Sequence, residues 1–180
     1  MKVVSIVGMA GSGKSEAARV FEEAGFKRVR FGDVTDDEVK KRGLTLNEEN
    51  ERRVRQELRD EHGMAAYALL NIPRIDEGLK TSDVVVDGLY SWEEYTLLKE
   101  RYGATLSLIA VYASPATRHR RLGSREVRPL TPAEAEERDR TEIENSHKGG
   151  PIAVADFTII NEGSIDELRN GTNRILDLLK

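Results

Sequence analysis

Cysteine and histidine are scarce or absent in this 180-residue sequence, and basic residues do not outnumber acidic ones. It contains no cysteine, which excludes disulfide bonds, thiolate metal sites and cysteine nucleophiles. Its three histidines are scattered, and no His-Glu-x-x-His pattern occurs, which argues against a zinc hydrolase. Acidic residues outnumber basic ones to give a formal net charge of -4, so no basic surface spans the protein and we expect no nucleic-acid partner.

Long hydrophobic runs are also missing. The N-terminal apolar run, Val3 to Val7, is much shorter than the core of a signal peptide or a membrane span. We therefore expect a cytoplasmic protein with no membrane partner. A chain of this length can bury one sizeable core but is short for two enzyme domains, so we predict a single domain over residues 1–180.

Short β-branched runs alternate with longer amphipathic stretches along the chain. This pattern is typical of the α/β class, in which helices cover both faces of a parallel sheet, and we predict a three-layer, doubly wound, five-stranded sheet. The predicted strands are Lys2 to Val7, Arg28 to Phe31, Asp83 to Val86, Leu106 to Tyr112 and Phe157 to Ile160. Several helix starts carry a hydroxyl residue followed three positions later by glutamate: Ser91 and Glu94, Thr131 and Glu134, Ser164 and Glu167.

Two longer segments interrupt the alternation of strands and helices. Residues 34–81 have helical spacing, which we expect to be broken at Gly43, Gly63 and Pro73, and we predict an inserted helical lobe that binds the acceptor. Residues 123–150 contain a charged helix starting near Pro132 and end in a glycine-rich stretch. We predict that this second segment is a mobile lid.

The sequence GMAGSGKS at positions 8–15 matches the phosphate-binding P-loop, or Walker A, pattern. It lies between the first predicted strand and a helix predicted over Ser15 to Ala24, as this motif requires. The glycines let successive backbone N–H groups face phosphate oxygens at a helix N-terminus. The expected nucleotide-binding residues are Gly8, Ala10, Gly11, Ser12, Gly13, Lys14 and Ser15.

Within this loop, Lys14 is predicted to contact the β- and γ-phosphates of ATP, and Ser15 to bind Mg²⁺. The alternative is a glycine-rich turn with an incidental lysine. A second magnesium ligand is predicted at Asp87, which follows the apolar residues 84–86 as in a Walker B strand. An aspartate that merely ends a strand is the competing interpretation.

A carboxylate also follows the second predicted strand, at Asp33. Phosphoryl transfer to an alcohol needs a group that orients the acceptor hydroxyl and accepts its proton, and Asp33 is our candidate for this acceptor-binding and catalytic role. Aspartate is also a preferred helix N-cap residue, and this second interpretation has equal weight. In that interpretation Asp33 would cap a helix beginning near Thr35.

Arginines are concentrated after the fourth strand. Such side chains can bind nucleotide phosphates and neutralise charge that develops during transfer, and we select Arg121 and Arg125 as catalytic nucleotide contacts. The alternative is a charged surface helix whose arginines pair with glutamates. The full set is Arg118, Arg120, Arg121, Arg125 and Arg128, followed by Arg138 and Arg140.

Five segments in order, GMAGSGKS, FGDV, VVVDG, SPATRHRRLGSR and ADFTIINEGS, resemble the compact P-loop kinases related to adenylate kinase and dephospho-CoA kinase. The resemblance covers essentially the full length. It implies the strand order 2-3-1-4-5, a substrate-binding helical lobe and an arginine-bearing lid that closes over ATP. It also implies that Asp33 acts on the acceptor hydroxyl and that Asn161 lies in the loop near the adenine.

The chain departs from this pattern after Asp87. Adenylate kinases place a phosphate-binding arginine a few residues beyond the Asp-Gly pair, whereas the residues here are Leu89, Tyr90 and Ser91. Arg55 or Arg59 of the helical segment would have to bind the phosphate of the acceptor. Tyr90 or Trp92 could stack on a base, although packing is the more common role of such aromatic residues.

These features predict an ATP-dependent phosphotransferase that moves the γ-phosphoryl group to a phosphate-bearing small molecule. The acceptor would be a nucleoside monophosphate or an alcohol resembling dephospho-CoA. The alternative is an ATP-binding regulatory switch without small-molecule kinase activity. A GTPase is disfavoured because the sequence has no Asn-Lys-x-Asp run.

Overall fold

The five predicted strands form one parallel sheet. A computed structural model describes residues 1–126 and 129–179. The strand order is β2-β3-β1-β4-β5, which confirms the order implied by the resemblance, and each strand lies within one residue of its predicted bounds. The strands are β1 (Val3–Val7), β2 (Lys27–Arg30), β3 (Val84–Asp87), β4 (Leu106–Tyr112) and β5 (Phe157–Ile160).

Helices connect the strands and cover the sheet. They are α1 (Lys14–Glu23), α2 (Asp33–Lys41), α3 (Glu48–His62), α4 (Ala66–Gly78), α5 (Trp92–Tyr102), α6 (Pro115–Gly123), α7 (Pro132–Glu144), α8 (Gly149–Ala153) and α9 (Ile165–Leu179). A short 3₁₀ turn, Gly103–Thr105, precedes β4. The predicted α/β class with a parallel sheet is confirmed.

Alternate residues of β1 enter two hydrophobic cores, one on each face of the sheet. Val3 and Val7 pack with α4 and α5, whereas Val4 and Ile6 pack with α1 and α9. This alternation follows from the two-residue period of a strand, and burial on both faces explains why β1 is so strongly apolar. The central strand is thereby fixed, together with the loop that leaves its carboxyl end.

Strand register brings two predicted site segments to one edge of the sheet. Ile6 of β1 pairs with Asp87 of β3, so the two strands end at nearly the same level. The loop at positions 8–13 and the Asp87 carboxylate therefore lie side by side at the carboxyl edge, where open α/β sheets bind their ligands.

Hydroxyl side chains begin several helices as predicted. Ser91 Oγ accepts a hydrogen bond from the Glu94 N–H at the start of α5. Thr131 and Glu134 form a complete capping box at the start of α7. These local contacts satisfy backbone donors that would otherwise lack a partner in the first turn.

Pro73 does not break a helix, and the prediction that it would was wrong. It lies inside α4, whose buried residues include Ala68, Asn71 and Ile75. A proline inside a helix removes one hydrogen bond and costs about 3 kcal/mol. Burial of the apolar side of α4 against the sheet offsets that cost. Gly43 and Gly63, in contrast, do follow the ends of α2 and α3.

Within residues 1–126 and 129–179, none of the helices combines the length and the apolar character that crossing a membrane would require.

Candidate active site

The phosphate loop is held in a conformation that its glycines make possible. Gly11 and Gly13 have φ angles of 80° and 102°, in the left-handed region. A Cβ atom on Gly13 would lie 2.4 Å from Asn161 Nδ2, and one on Gly11 would lie 2.8 Å from the Arg118 carbonyl oxygen. Both positions therefore need glycine for backbone conformation and for space. Gly13 also precedes the first residue of α1, so the loop ends at a helix N-terminus.

Lys14 lies within this loop. Its Nζ donates a hydrogen bond to the Met9 carbonyl oxygen at 2.9 Å. Burial, and after it the nearby charge of Lys148, lower the pKa of Lys14 to about 7, while the carboxylates of Glu142 and Asp87 oppose the shift. The side chain is therefore poised to gain a full charge when an anion binds beside it.

Ser15 and Asp87, the two predicted magnesium ligands, are neighbours. Ser15 Oγ donates to Asp87 Oδ1 at 3.4 Å, and Asp87 is buried. The described residues contain no group of three or more histidine, aspartate or glutamate side chains arranged to hold a metal. Magnesium at phosphate sites commonly uses only one or two protein oxygens together with phosphates and water, so this hydroxyl and carboxylate fit the ion.

Asp87 also has a partner that the sequence analysis missed. Arg28 of β2 donates from Nη2 to Asp87 Oδ2 at 2.6 Å and forms a second ion pair with Glu22 of α1. β2 and β3 pair in parallel, so Arg28 and Asp87 meet across the sheet. The contact depends on how two side chains on neighbouring strands pack, which no local sequence pattern indicates.

Asn161 and Arg121 lie on the other side of the loop. Asn161 Nδ2 donates to the Ser12 carbonyl oxygen at 2.7 Å, and Asn161 Oδ1 accepts from Arg121 Nη2 at 3.4 Å. A cavity of about 250 Å³ opens beside them. Its lining residues are Gly13, Glu16, Arg121, Asn161, Gly163, Ile165 and Leu168. Three predicted nucleotide-binding residues are thus brought together around one cavity next to the phosphate loop.

The other arginines of the predicted cluster have different positions. Arg125 is exposed beyond the end of α6, and no hydrogen bond or ion pair joins it to the loop in the part of the chain that the structure describes. Arg128 lies outside the described residues. Arg140 is exposed and pairs with Glu137, as the surface-helix interpretation predicts for such residues.

Arg118 supports the loop from behind. It is buried and forms a two-pronged ion pair with Asp139 of α7, at 2.6 Å and 2.7 Å. Its Nη1 also donates to the Ala10 carbonyl oxygen at 3.2 Å. Spacing along the sequence could not distinguish this supporting arginine from Arg121, because both lie on the short helix α6.

Asp33 does not cap a helix, so that interpretation was wrong. Helix α2 begins at Asp33 itself, with Gly32 at the cap position and no side-chain cap hydrogen bond. A capping side chain belongs to the residue before the first helical one, whereas Asp33 already has helical geometry. Its carboxylate lies 3.4 Å from Arg30 Nε and its side chain is 44% exposed.

Arg55 and Arg59 lie one turn apart on α3 and are both partly buried. Arg55 pairs with Glu51 at 3.5 Å. The Arg59 guanidinium lies 5.8 Å from the centre of the Tyr67 ring, and its Nε is buried with no hydrogen-bond partner among the described residues.

Tyr90 lies in the segment after Asp87, and its contacts are those of a packing residue. Its ring meets Tyr67 edge-on, with ring centres 5.4 Å apart, and burial raises the pKa of its hydroxyl. Trp92 is 40% exposed and packs beside Tyr95, with ring centres 5.3 Å apart. Both residues therefore pack against other aromatic side chains, as the more common role of such residues predicts.

Two further residues at the loop were missed altogether. Glu142 of α7 accepts a hydrogen bond from the Ala10 N–H at 3.0 Å, and its carboxylate pairs with Lys148 at 2.9 Å. Glu142 is one of several glutamates in a charged helix, and Lys148 looked like part of a glycine-rich hinge. No local pattern distinguishes either residue.

The sheet order and the loop between β1 and α1 define a P-loop protein with the small-kinase type of fold. The family model described as an AAA domain matches residues 4–144. UPF0200 protein TK1334 of Thermococcus kodakarensis is 37% identical over 179 residues, covering 97% of this chain and 96% of that protein. UPF0200 protein MJ1399 of Methanocaldococcus jannaschii is 38% identical over 180 residues, covering 98% and 89%. The chain belongs to the AAA domain family and to the UPF0200 proteins.

Solved structures with the same fold include kinases. TT1252 from Thermus thermophilus aligns with a TM-score of 0.67 at 19% identity, covering 99% of this chain and 98% of that one. Shikimate kinase from Bacteroides thetaiotaomicron has a TM-score of 0.63 at 14% identity, with the same coverage. Dephospho-CoA kinase from Campylobacter jejuni has a TM-score of 0.57 at 13% identity, covering 99% and 97%. This likeness confirms the fold inferred from the sequence motifs.

Proposed function

We propose that this protein is an ATP-dependent phosphotransferase that moves the γ-phosphoryl group to a small-molecule acceptor. The observation that carries the proposal is the position of Ser15 Oγ 3.4 Å from the Asp87 carboxylate, next to the partly buried Lys14 of the phosphate loop. A lysine, a hydroxyl and an acidic strand end in this arrangement are the parts that P-loop enzymes use to bind a triphosphate with magnesium.

The nucleotide would lie along the carboxyl edge of the sheet. The loop N–H groups and Lys14 would bind its phosphates, and the cavity beside Asn161 and Arg121 would receive the base and ribose. Ser15 and Asp87 would hold Mg²⁺, which supplies positive charge to the phosphates when bound. Arg28 would have to share the Asp87 carboxylate with the ion, since it already donates to Oδ2.

On the acceptor side, Asp33 would orient the attacking hydroxyl and accept its proton. Two observations support this assignment. The Asp33 carboxylate is accessible just beyond β2, and it does not cap helix α2. Arg55 and Arg59 would bind a phosphate on the acceptor, and the buried Nε of Arg59 offers a donor for it. A nucleoside monophosphate or an alcohol like dephospho-CoA would meet these requirements. Residues 34–81 would form the acceptor lobe, and residues 123–150, with Arg125, would form the lid.

The test is production of ADP from ATP and Mg²⁺ with a panel of nucleoside monophosphates and dephospho-CoA. We expect ADP only when the right acceptor is added. Lys14→Ala should lower turnover by about 10²-fold or more, because it removes the cation that contacts the transferred group. Lys99→Ala, which removes an exposed lysine of α5, is the matched control and should leave turnover unchanged.

The regulatory switch makes the opposite prediction for the same experiment. Tight ATP binding with no ADP from any acceptor would contradict the kinase proposal and favour the switch. Full turnover in a folded Lys14→Ala variant, with its fold checked by circular dichroism, would contradict the role assigned to the phosphate loop.

A further inference from the structure

A carboxylate of the protein itself lies on the phosphate loop. Glu142 Oε2 accepts a hydrogen bond from the Ala10 N–H at 3.0 Å and lies 2.9 Å from Lys148 Nζ. Loop N–H groups in this motif face phosphate oxygens, and a carboxylate oxygen accepts the same kind of hydrogen bond. The Glu142 contacts therefore mark a position at which the loop binds an anion.

The cation at this position is buried. Lys148 is 3% exposed, and its ammonium lies 5.5 Å from the centre of the Tyr90 ring. A buried ammonium needs a nearby anion, because an unpaired buried charge is strongly destabilising. Glu142 supplies that anion here, and only another anion could replace it without leaving Lys148 unpaired.

The surroundings of Glu142 carry more positive charge than one carboxylate needs. Lys14 and Lys148 both act on it electrostatically and hold its pKa below the usual range despite its burial. Arg138 approaches Glu142 Oε1 at 3.5 Å. A group with two or more negative charges would match this set better than a single carboxylate does.

The involvement of Lys14 indicates which part of a nucleotide belongs here. The lysine of a P-loop contacts the β- and γ-phosphates, and the charges of Lys14 and Glu142 interact, so an anion in place of the Glu142 carboxylate would lie toward the far end of a triphosphate. We propose that the Ala10 N–H and the Lys148 ammonium bind the terminal phosphoryl group of ATP, and that this group displaces the Glu142 carboxylate from the loop. The inference rests on the nucleotide-binding part of the proposed function and does not require an acceptor.

Displacement of Glu142 makes this residue an internal competitor of the nucleotide. The competitor lies on α7, which is anchored to the loop through Asp139 and Arg118. Binding of ATP then breaks one contact between α7 and the loop and leaves the other in place. Removing the competitor should strengthen ATP binding, whereas removing Lys148 should weaken it.

The experiment is calorimetric titration of the whole protein with Mg²⁺-ATP and Mg²⁺-ADP, without an acceptor. Glu142→Gln keeps the side-chain shape but removes its charge, and we expect ATP affinity to rise by about tenfold, the scale of one charge-assisted hydrogen bond. Glu144→Gln, on the same helix and exposed, is the matched control and should leave affinity unchanged.

Lys148→Met removes the charge and keeps an apolar stem of similar length. We expect at least about tenfold weaker ATP binding with a much smaller effect on ADP, which lacks the terminal group. Lys41→Met is the control for loss of an exposed lysine. Equal losses for ATP and ADP would overturn the assignment of Lys148 to the terminal phosphoryl group.

Unchanged or weaker ATP binding in a folded Glu142→Gln variant would overturn the competition. If that variant does not fold, Glu142→Asp provides the same test, because a side chain shorter by one methylene weakens the contact with Ala10 and should also raise ATP affinity. If only the kinase proposal is wrong, both expected changes in ATP affinity will still be measured, but no acceptor will be phosphorylated.

Discussion

Glu94 of α5 is a carboxylate that burial perturbs strongly. It is fully buried, and its Oε2 accepts a hydrogen bond from the Tyr90 N–H at 2.7 Å. Its Oε1 has no hydrogen-bond partner among the described residues. Burial raises the pKa of Glu94 to about 8, even though Arg59 and Lys148 oppose that shift. Glu94 is therefore protonated in the folded protein at neutral pH.

This protonation makes folding stability depend on pH. A glutamate in the unfolded chain has a pKa near 4.5, so between pH 4.5 and about 8 the folded protein holds one more proton than the unfolded chain. The contribution of Glu94 to the free energy of unfolding is therefore fully present below pH 4.5, and it is lost as the pH rises to about 8. Relative to Glu94→Gln, we expect the wild type to lose roughly 2–4 kcal/mol between pH 5 and pH 9.

Urea denaturation of both proteins at each pH measures the difference. The glutamine keeps an acceptor for the Tyr90 N–H, so its fold should be retained. Glu100→Gln changes an exposed glutamate on the same helix and should follow the wild-type profile. Parallel pH profiles for the wild type and Glu94→Gln would contradict the assigned protonation state.

At the scale of elements, helix α7 is joined to the phosphate loop by the Arg118–Asp139 ion pair. Both side chains are largely buried, and Arg118 continues from Asp139 to the Ala10 carbonyl oxygen. A buried pair adds little net stability, but loss of one partner leaves the other charge uncompensated. The pair should therefore matter for the shape of the loop and for the position of α7.

We expect Asp139→Asn to lower the free energy of unfolding by about 2–4 kcal/mol and to weaken ATP binding, because Arg118 then loses its carboxylate. Thermal denaturation and nucleotide titration measure the two effects. Glu137→Gln breaks the exposed pair with Arg140 on the same helix and should cost at most about 1 kcal/mol. The prediction is contradicted if the two variants are equally stable.

Some helices and strands were predicted correctly from the sequence alone, and others were not. Strands and helix starts followed local patterns, such as the alternating burial of β1 and the hydroxyl cap of Thr131. Pro73 was misjudged because its effect depends on how much of α4 is buried, which is a property of tertiary packing. Local rules hold where local contacts dominate the free energy.

The same distinction applies to the candidate site. Lys14, Ser15 and Asp87 were selected as site candidates because the patterns that point to them are contiguous in sequence. Glu142 contacts Ala10, which is 132 positions away in sequence. Arg28 contacts Asp87 on the neighbouring strand, 59 positions away. Neither contact is therefore visible in a local sequence pattern. Asp33 could not be resolved from sequence because a base and a cap prefer the same residue at the end of a strand.

At the scale of the whole molecule, the predicted nucleotide contacts come from the centre and from one edge of the sheet. The loop after β1 and Asp87 of β3 lie at its centre, and Asn161 follows β5 at its edge. A ligand that binds all of these segments stabilises the folded chain as a unit. If residues 1–180 form one domain, as we predict, ATP should raise the temperature of a single unfolding transition.

Mg²⁺-ATP at about 100 times its Kd should stabilise the protein by about 2.7 kcal/mol and raise Tm by roughly 5–11 °C for a chain of this size. Lys14→Ala should lose most of this shift. Asp33→Asn should keep it, because Asp33 is assigned to the acceptor and not to ATP, while its turnover should fall by about 10²-fold or more. Differential scanning calorimetry with and without nucleotide gives the shifts. Two separate unfolding transitions, of which ATP shifts only one, would contradict the prediction of a single domain. Loss of the ATP-induced Tm shift in Asp33→Asn would instead place the Asp33 carboxylate on the ATP side of the site.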